Sequence, residues 1–174
     1  MSGNVPSSNP DGLHWYVACV RSCQEKNVAE ALRKNSVECY LPLRREVHRW
    51  SDRRKVVECL VVPRYVFIRC KDSQRGALLA ADSRLVRFLA SSGKASVVRD
   101  GEMEAFRRMV DSGGRLYLTG EDLKAGDRVR VMSGPLVGTE CELVGVAGGR
   151  CLAVRLGALG TAIMDLDKDT VEKI

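Results

Sequence analysis

The chain has 174 residues, with 28 Lys+Arg against 22 Asp+Glu for a net charge of +6, and it is 45% hydrophobic and 29% charged. This excludes a disordered or fibrous chain, and a chain of this size can remove roughly 70% of its unfolded surface from water. The charge is uneven: residues 1–111 hold 20 Lys+Arg and 13 Asp+Glu (+7), residues 112–174 hold 8 and 9 (−1), and residues 44–75 alone hold 10 and 4.

Residues 1–12 are rich in Ser, Asn, Pro and Gly, and lack the charged-then-apolar order of a signal peptide. They read as a flexible tail. His14 to Val20 is a short apolar run that suits a strand buried on both faces. Ser22 with Glu25 three residues on reads as a capping box. Val28, Ala31 and Leu32 then recur at helical spacing, and Asn35 closes the helix. Val37 to Leu43 returns to strand chemistry, with Pro42 at an edge or end. Arg44 to Cys59 reads as a long polar β-hairpin turning at Ser51-Asp52. Leu60 to Ile68 is the most strand-like run of the chain. Gln74 to Asp82 suits a short helix with Ala77, Leu78 and Ala81 inward. Val86 to Ala90 and Ser96 to Val98 follow as strands. Asp100 caps a helix whose apolar positions are Met103, Phe106 and Val110. This order predicts an α+β sandwich, an antiparallel sheet with helices, over 13–111.

Residues 112–122 read as a linker with one apolar patch at Leu116 to Leu118. From Leu123 the period changes. Val129 and Val131 alternate with charge, and Gly126, Gly134, Gly148-Gly149, Gly157 and Gly160 punctuate short β-rich pieces. This predicts a small antiparallel barrel over 123–174.

Seven cysteines without C-x-x-C spacing read as reduced thiols of a cytoplasmic protein. The two histidines, His14 and His48, have no partner at ligand spacing in the sequence, so no metal or other cofactor is expected. No Ser/His/Asp or Cys/His set is suggested, and Gly148-Gly149 lacks the Lys-Ser/Thr of a phosphate loop. No catalytic residue is assigned, and the chain is not expected to be an enzyme. No apolar run approaches the ~20 residues of a membrane-spanning helix.

Arg44, Arg45, Arg49, Arg53, Arg54 and Lys55, with Trp50 among them, suit phosphate contact plus base or sugar stacking. The same charges also suit a solvated face that deters edge-to-edge pairing.

The run Gly126-Asp127-Arg128-Val129-Arg130-Val131, followed by Gly134-Pro135-Leu136-Val137-Gly138, is similar to the start of a KOW module, an SH3-like barrel. Its signature positions here are Gly126, Asp127, Val129, Val131, Gly134, Pro135 and Gly138. Trp15-Tyr16-Val17, Glu38-Cys39-Tyr40-Leu41-Pro42 and Val62-Pro63-Arg64-Tyr65-Val66-Phe67-Ile68, in this order, resemble the N-terminal domain of the NusG family of transcription elongation factors. The V-E-C-Y-L-P segment, the hairpin tip and the short linker look closest to the specialised paralogues RfaH and UpxY, the latter acting on capsule operons. Cys141 and Arg64 replace glycines that a housekeeping NusG usually carries.

The resemblance implies a monomeric antitermination factor that binds the clamp helices of RNA polymerase and suppresses pausing and termination, operon-specific and of the capsular polysaccharide type. It implies a clamp pocket of Tyr16, Val62, Pro63, Tyr65 and Phe67. It implies contact of the hairpin, with Arg21 and Lys26, to upstream or non-template DNA. A protein partner of the barrel, a ribosomal protein or Rho, is expected from its net −1, and no membrane partner. The alternative is a polymerase-independent RNA-binding protein that uses its KOW barrel.

Overall fold

The computed structural model describes residues 12–121, 123–166 and 171–174. The expected tail, apart from Gly12, lies outside the described residues.

The apolar run near the N-terminus forms β1 (Leu13–Val20), the strand at the middle of the first sheet. β2 (Glu38–Tyr40) pairs with β5 (Tyr65–Lys71), and β5 pairs with β1. On the other edge of β1 lie β6 (Leu85–Phe88) and β9 (Val97–Val98). All these pairings are antiparallel. Period-2 alternation gives the sheet two apolar faces. Tyr16, Ala18, Val20, Val66, Ile68 and Cys70 point to one face, which α1 (Glu25–Lys34) and α2 (Arg75–Ala81) cover through Val28, Ala29, Leu32, Leu78 and Leu79. Trp15, Val17 and Phe67 point to the other, which packs with Met103 and Phe106 of α3 (Asp100–Asp111). Burying such side chains contributes about 1.5–3 kcal/mol each.

Several local expectations change. Ser22 and Glu25 do not form a capping box: α1 starts at Glu25, without a side-chain cap. Glu25 is instead buried, and its carboxylate accepts the Arg64 backbone N–H at 2.9 Å. Ala29, not Ala31, is the fully buried alanine of α1. At α3 the N-cap is Arg99 rather than Asp100, and the Glu102 carboxylate accepts the Arg99 N–H at 3.1 Å.

The expected single strand 60–68 is two strands. β3 (Leu43–Arg49) and β4 (Arg54–Leu60) form a separate two-stranded ribbon, from Leu43↔Leu60 to Arg49↔Arg54. Its loop, residues 50–53, is closed by the Trp50 N–H donating to the Arg53 carbonyl at 2.8 Å. β4 then stops. Pro63 has no N–H to offer a ladder, and Arg64 takes a left-handed φ of 69° before β5 begins. β7 (Ala90–Ser91) and β8 (Lys94–Ala95) make a further small ribbon.

The second sheet takes in β10 (Leu116–Thr119), β11 (Asp127–Val131), β12 (Glu140–Val146), β13 (Gly149–Arg155), β14 (Thr161–Asp165) and β15 (Val171–Lys173). Its order is β10-β14-β13-β12-β11-β15, and every pairing is antiparallel. Among the described residues these pairings form an open path. The stretch read as a linker therefore contains a paired strand, because Leu116 to Thr119 find a ladder on β14. At Gly126 an added Cβ would collide with the Leu143 carbonyl, so only glycine lets the chain enter β11 this close to β12.

α3 lies between the two sheets. Phe106 packs against Phe67 with ring centroids 5.4 Å apart and the rings tilted by 45°, while the Arg108 guanidinium reaches the Val137 carbonyl at 3.4 Å. One apolar cluster runs from Trp15 and Phe67 through α3 to Val129, Leu136 and Leu152. The layers also meet at Gly157, where the Ser96 hydroxyl accepts the Ala158 N–H at 2.7 Å.

Candidate functional site: a basic ribbon and an aromatic face

Strand alternation sorts the basic residues of the ribbon. Arg45, Arg49, Arg54, Val47, Val56 and Glu58 share one face, and Arg44, Glu46, His48, Lys55, Val57 and Cys59 share the other. On the first face Arg49 stands directly opposite Arg54. Cross-strand neighbours of this kind have Cβ atoms about 4.5–5.5 Å apart, and like charges there destabilise the ribbon. Among the described residues no carboxylate pairs with Arg45, Arg49, Arg54 or Lys55. Trp50 at the tip is 65% exposed, and Val47 and Val56 behind it are 62% and 60% exposed. The ribbon thus presents uncompensated positive charge with an apolar strip and an indole: groups that hold phosphates and stack on bases.

Not every expected basic residue joins this face. Arg44 is half-buried on the opposite face and donates to the Gly114 carbonyl at 2.7 Å, tying the ribbon root to the end of α3. Lys26 of α1 reaches Glu58 at 3.4 Å, and Arg53 lies 4.0 Å from Asp52. Arg21 is exposed beyond β1, and its backbone N–H donates to the Arg84 carbonyl. On the second face desolvation, then the Glu46 carboxylate, push the Cys59 thiol above its ordinary value.

The aromatic set is divided by the sheet. Tyr65 and Phe67 share a face with Tyr40, but Tyr16 is on the opposite one. There Tyr16 is buried, its hydroxyl donates to Asp72 at 3.3 Å, and its ring packs edge-on to Phe88. Burial, then the Asp72 carboxylate, raise its hydroxyl pKa. Phe67 is fully buried between Tyr40 and Phe106. Val62 is buried, Pro63 exposed and Tyr65 half-buried at the rim. Sequence reasoning misses Arg107, whose guanidinium sits 4.8 Å from the Trp15 ring centroid and 4.9 Å from that of Tyr40. These distances are within cation–π range. Its place four residues after Met103 and three before Val110, on the apolar face of α3, carries a weak signal for it. Trp15, in the run expected to be buried on both faces, is buried.

In the second sheet Val129 and Val131 point inward while Arg128 and Arg130 point out. Gly134 and Gly138 adopt φ of 83° and 80° around Pro135, and the Gly138 N–H returns to the Val131 carbonyl at 2.8 Å. Its charges are largely paired: Arg130 with Glu140 at 2.6 Å, Arg155 with Glu142 at 3.0 Å, and Lys173 with Asp127 at 2.8 Å. Between this sheet and the start of α3 is a cleft of about 370 Å³. Desolvation there raises the Glu102 pKa against the pull of its Arg99 N–H bond.

A family model for transcription termination factor nusG matches residues 13–107. The class is that of transcription factors without enzymatic activity, and it is one that binds RNA polymerase. The chain belongs to the NusG family. It is similar to the solved structure "Domain interaction in Thermotoga maritima NusG", at 21% identity and a TM-score of 0.48, over 93% of this chain and 97% of that one. It is similar to Spt5 in the MjSpt4:Spt5 complex, conformation A, at 14% identity and a TM-score of 0.31, over 91% and 98% of the two chains. No curated protein matches the chain. Among the described residues no helix is long and apolar enough to cross a membrane.

Proposed function

We propose that this NusG-family factor is an antiterminator of the RfaH/UpxY type, serving particular operons such as those for capsular polysaccharide. Its N-terminal unit, 13–111, docks on the polymerase clamp helices through the rim formed by Pro63 and Tyr65, with Val62 and Phe67 as the floor beneath. The ribbon, through Arg45, Arg49, Arg54 and Trp50, holds upstream or non-template DNA. Residues 123–174 act as a KOW-type unit that recruits a protein, a ribosomal protein or Rho. Bound in this way, the factor favours the elongating state over the paused one by differential affinity alone. The observation that carries the reading is the uncompensated charge on the first face of the ribbon, set against the paired charges of the second sheet.

The test is an in vitro elongation assay on a terminator template. Added protein raises read-through, and Arg45→Gln with Arg49→Gln and Arg54→Gln removes most of the gain. Unchanged read-through with the unsubstituted protein, on templates that carry its own operon leader, would sink the proposal.

A further inference from the structure

The second face of the ribbon carries three chemically different donors whose sequence positions hide their proximity. Glu46 and His48 are two residues apart on β3, so they share a face. Cys59 stands opposite Arg44 on β4, and so lies diagonal to Glu46 on that same face. The His48 Nε2 atom is 3.4 Å from Glu46 Oε2, and Cys59 Sγ is 3.6 Å from the same oxygen. All three donor atoms lie within 4.8 Å of one another.

Those separations have a specific meaning. Zinc binds imidazole nitrogen and carboxylate oxygen near ~2.1 Å and thiolate sulfur near ~2.3 Å, and tetrahedral angles then place N and O about 3.4 Å apart and S and O about 3.6 Å apart. Both observed pairs meet these values. The remaining pair, His48 with Cys59, likewise needs about 3.6 Å and, from within 4.8 Å, is reached by side-chain rotation.

We propose that Glu46, His48 and Cys59 form a binding site for a borderline-soft divalent transition metal, with Zn²⁺ the best fit. A thiol with an imidazole selects such a metal over Mg²⁺ or Ca²⁺, which take oxygen ligands. On binding, the Cys59 S–H bond breaks, its proton leaves to solvent, and an S–metal bond forms. Neutral His48 and the Glu46 carboxylate complete three ligands, and water takes the fourth position. The ammonium of Lys55, opposite His48, is exposed on a flexible stem that is free to swing into solvent. The Arg44 guanidinium is already held by the Gly114 carbonyl. The metal joins β3 to β4 halfway along a ribbon that no other strand supports among the described residues. An isolated two-stranded ribbon is marginal in water, so a cross-strand ligand set stiffens it.

The test uses the reduced full-length chain and Co²⁺ as a spectroscopic substitute for Zn²⁺. One equivalent gives a near-ultraviolet thiolate-to-cobalt band, and Zn²⁺ displaces it. Cys59→Ser abolishes the band. His48→Ala weakens binding by more than about tenfold, the cost already attached to losing an outer partner of a metal ligand. Cys23→Ser, at the exposed cysteine of the loop before α1, leaves the band unchanged. No thiolate–cobalt band in the unsubstituted protein, or a band that survives Cys59→Ser, overturns the proposal. His48 and Cys23 are exposed and Cys59 is half-buried, and an unchanged circular dichroism spectrum confirms that each variant is folded.

Discussion

The two sheets of this chain treat charge and aromatic side chains in opposite ways. In the second sheet Arg128, Arg130, Arg155 and Lys173 each face a carboxylate. On the ribbon attached to the first sheet, Arg45, Arg49, Arg54 and Lys55 form no ion pair among the described residues, and Glu58, which stands opposite Arg45, pairs with Lys26 instead. Eight of the nine Trp, Phe and Tyr residues belong to the first layer and its ribbon, and Tyr117 alone to the second sheet. A charge that is paired within the fold is already satisfied. A charge left beside its own kind raises the energy of the free protein and lowers it again when an anion arrives. Net charge alone does not separate these cases; the ion pairs that form do.

The comparison is tested most severely at Phe67. Phe67→Ala removes a fully buried ring from the cluster it shares with Tyr40 and Phe106. We expect a loss of about 3–5 kcal/mol in chemical denaturation. Tyr65→Ala, at the half-buried rim, should change stability by about 1 kcal/mol or less yet weaken retention on immobilised RNA polymerase. Equal stability losses at both positions would erase the division between floor and rim.

Next in size is the ribbon. Replacing Arg45, Arg49 and Arg54 by Gln should lower the slope of log affinity against log salt by about 2 to 3, as expected for three lost phosphate contacts. Replacing Arg128, Arg130 and Arg155 should leave that slope unchanged. Fluorescence anisotropy on a forked DNA reads both, and an equal drop for the two sets would break the comparison.

A smaller effect sharpens it between the layers. Glu102 has a folded pKa raised above its ordinary 4.5, chiefly by desolvation. The folded state then binds the proton more tightly, so stability falls as pH rises from 4.5 through the folded value. Glu102→Gln should raise the Tm at pH 7, and the gain should fade as pH drops below 4.5. The smallest effect belongs to Glu140, exposed and paired with Arg130, which holds its pKa below the ordinary value. Its contribution is present above 4.5 and lost as pH falls through the lowered value. Glu140→Gln should give a slight destabilisation at neutral pH that disappears in high salt.

Much of the first layer is legible in the sequence. The continuous apolar runs 14–20 and 60–68 locate two strands, although the second begins only at Tyr65, and Ser51-Asp52 locates the ribbon turn, because these signals lie within a few residues. What is not legible depends on distant partners. Glu25 looks like half of a capping box, but its true partner is the Arg64 N–H. Tyr16 looks like a neighbour of Tyr65, but the register Val17↔Phe67 puts it on the other face. Leu116 to Thr119 is too short to announce a strand until β14 offers it a ladder. His48 lacks a ligand at sequence spacing, because its companion Cys59 comes from the returning arm of the ribbon.

The contact at Gly157 has a genetic consequence. Its φ is 59°, and a Cβ placed there would run into the Ser96 hydroxyl of the other layer. Gly157→Ala therefore acts as a wedge driven between two units whose own interiors it never touches. Trimming Ser96 to glycine removes the obstacle but not the unfavourable backbone angle, so it should restore part of what the wedge took away. Two positions far apart in the chain would then behave as a suppressor pair, and their coupling would measure how firmly the layers are latched.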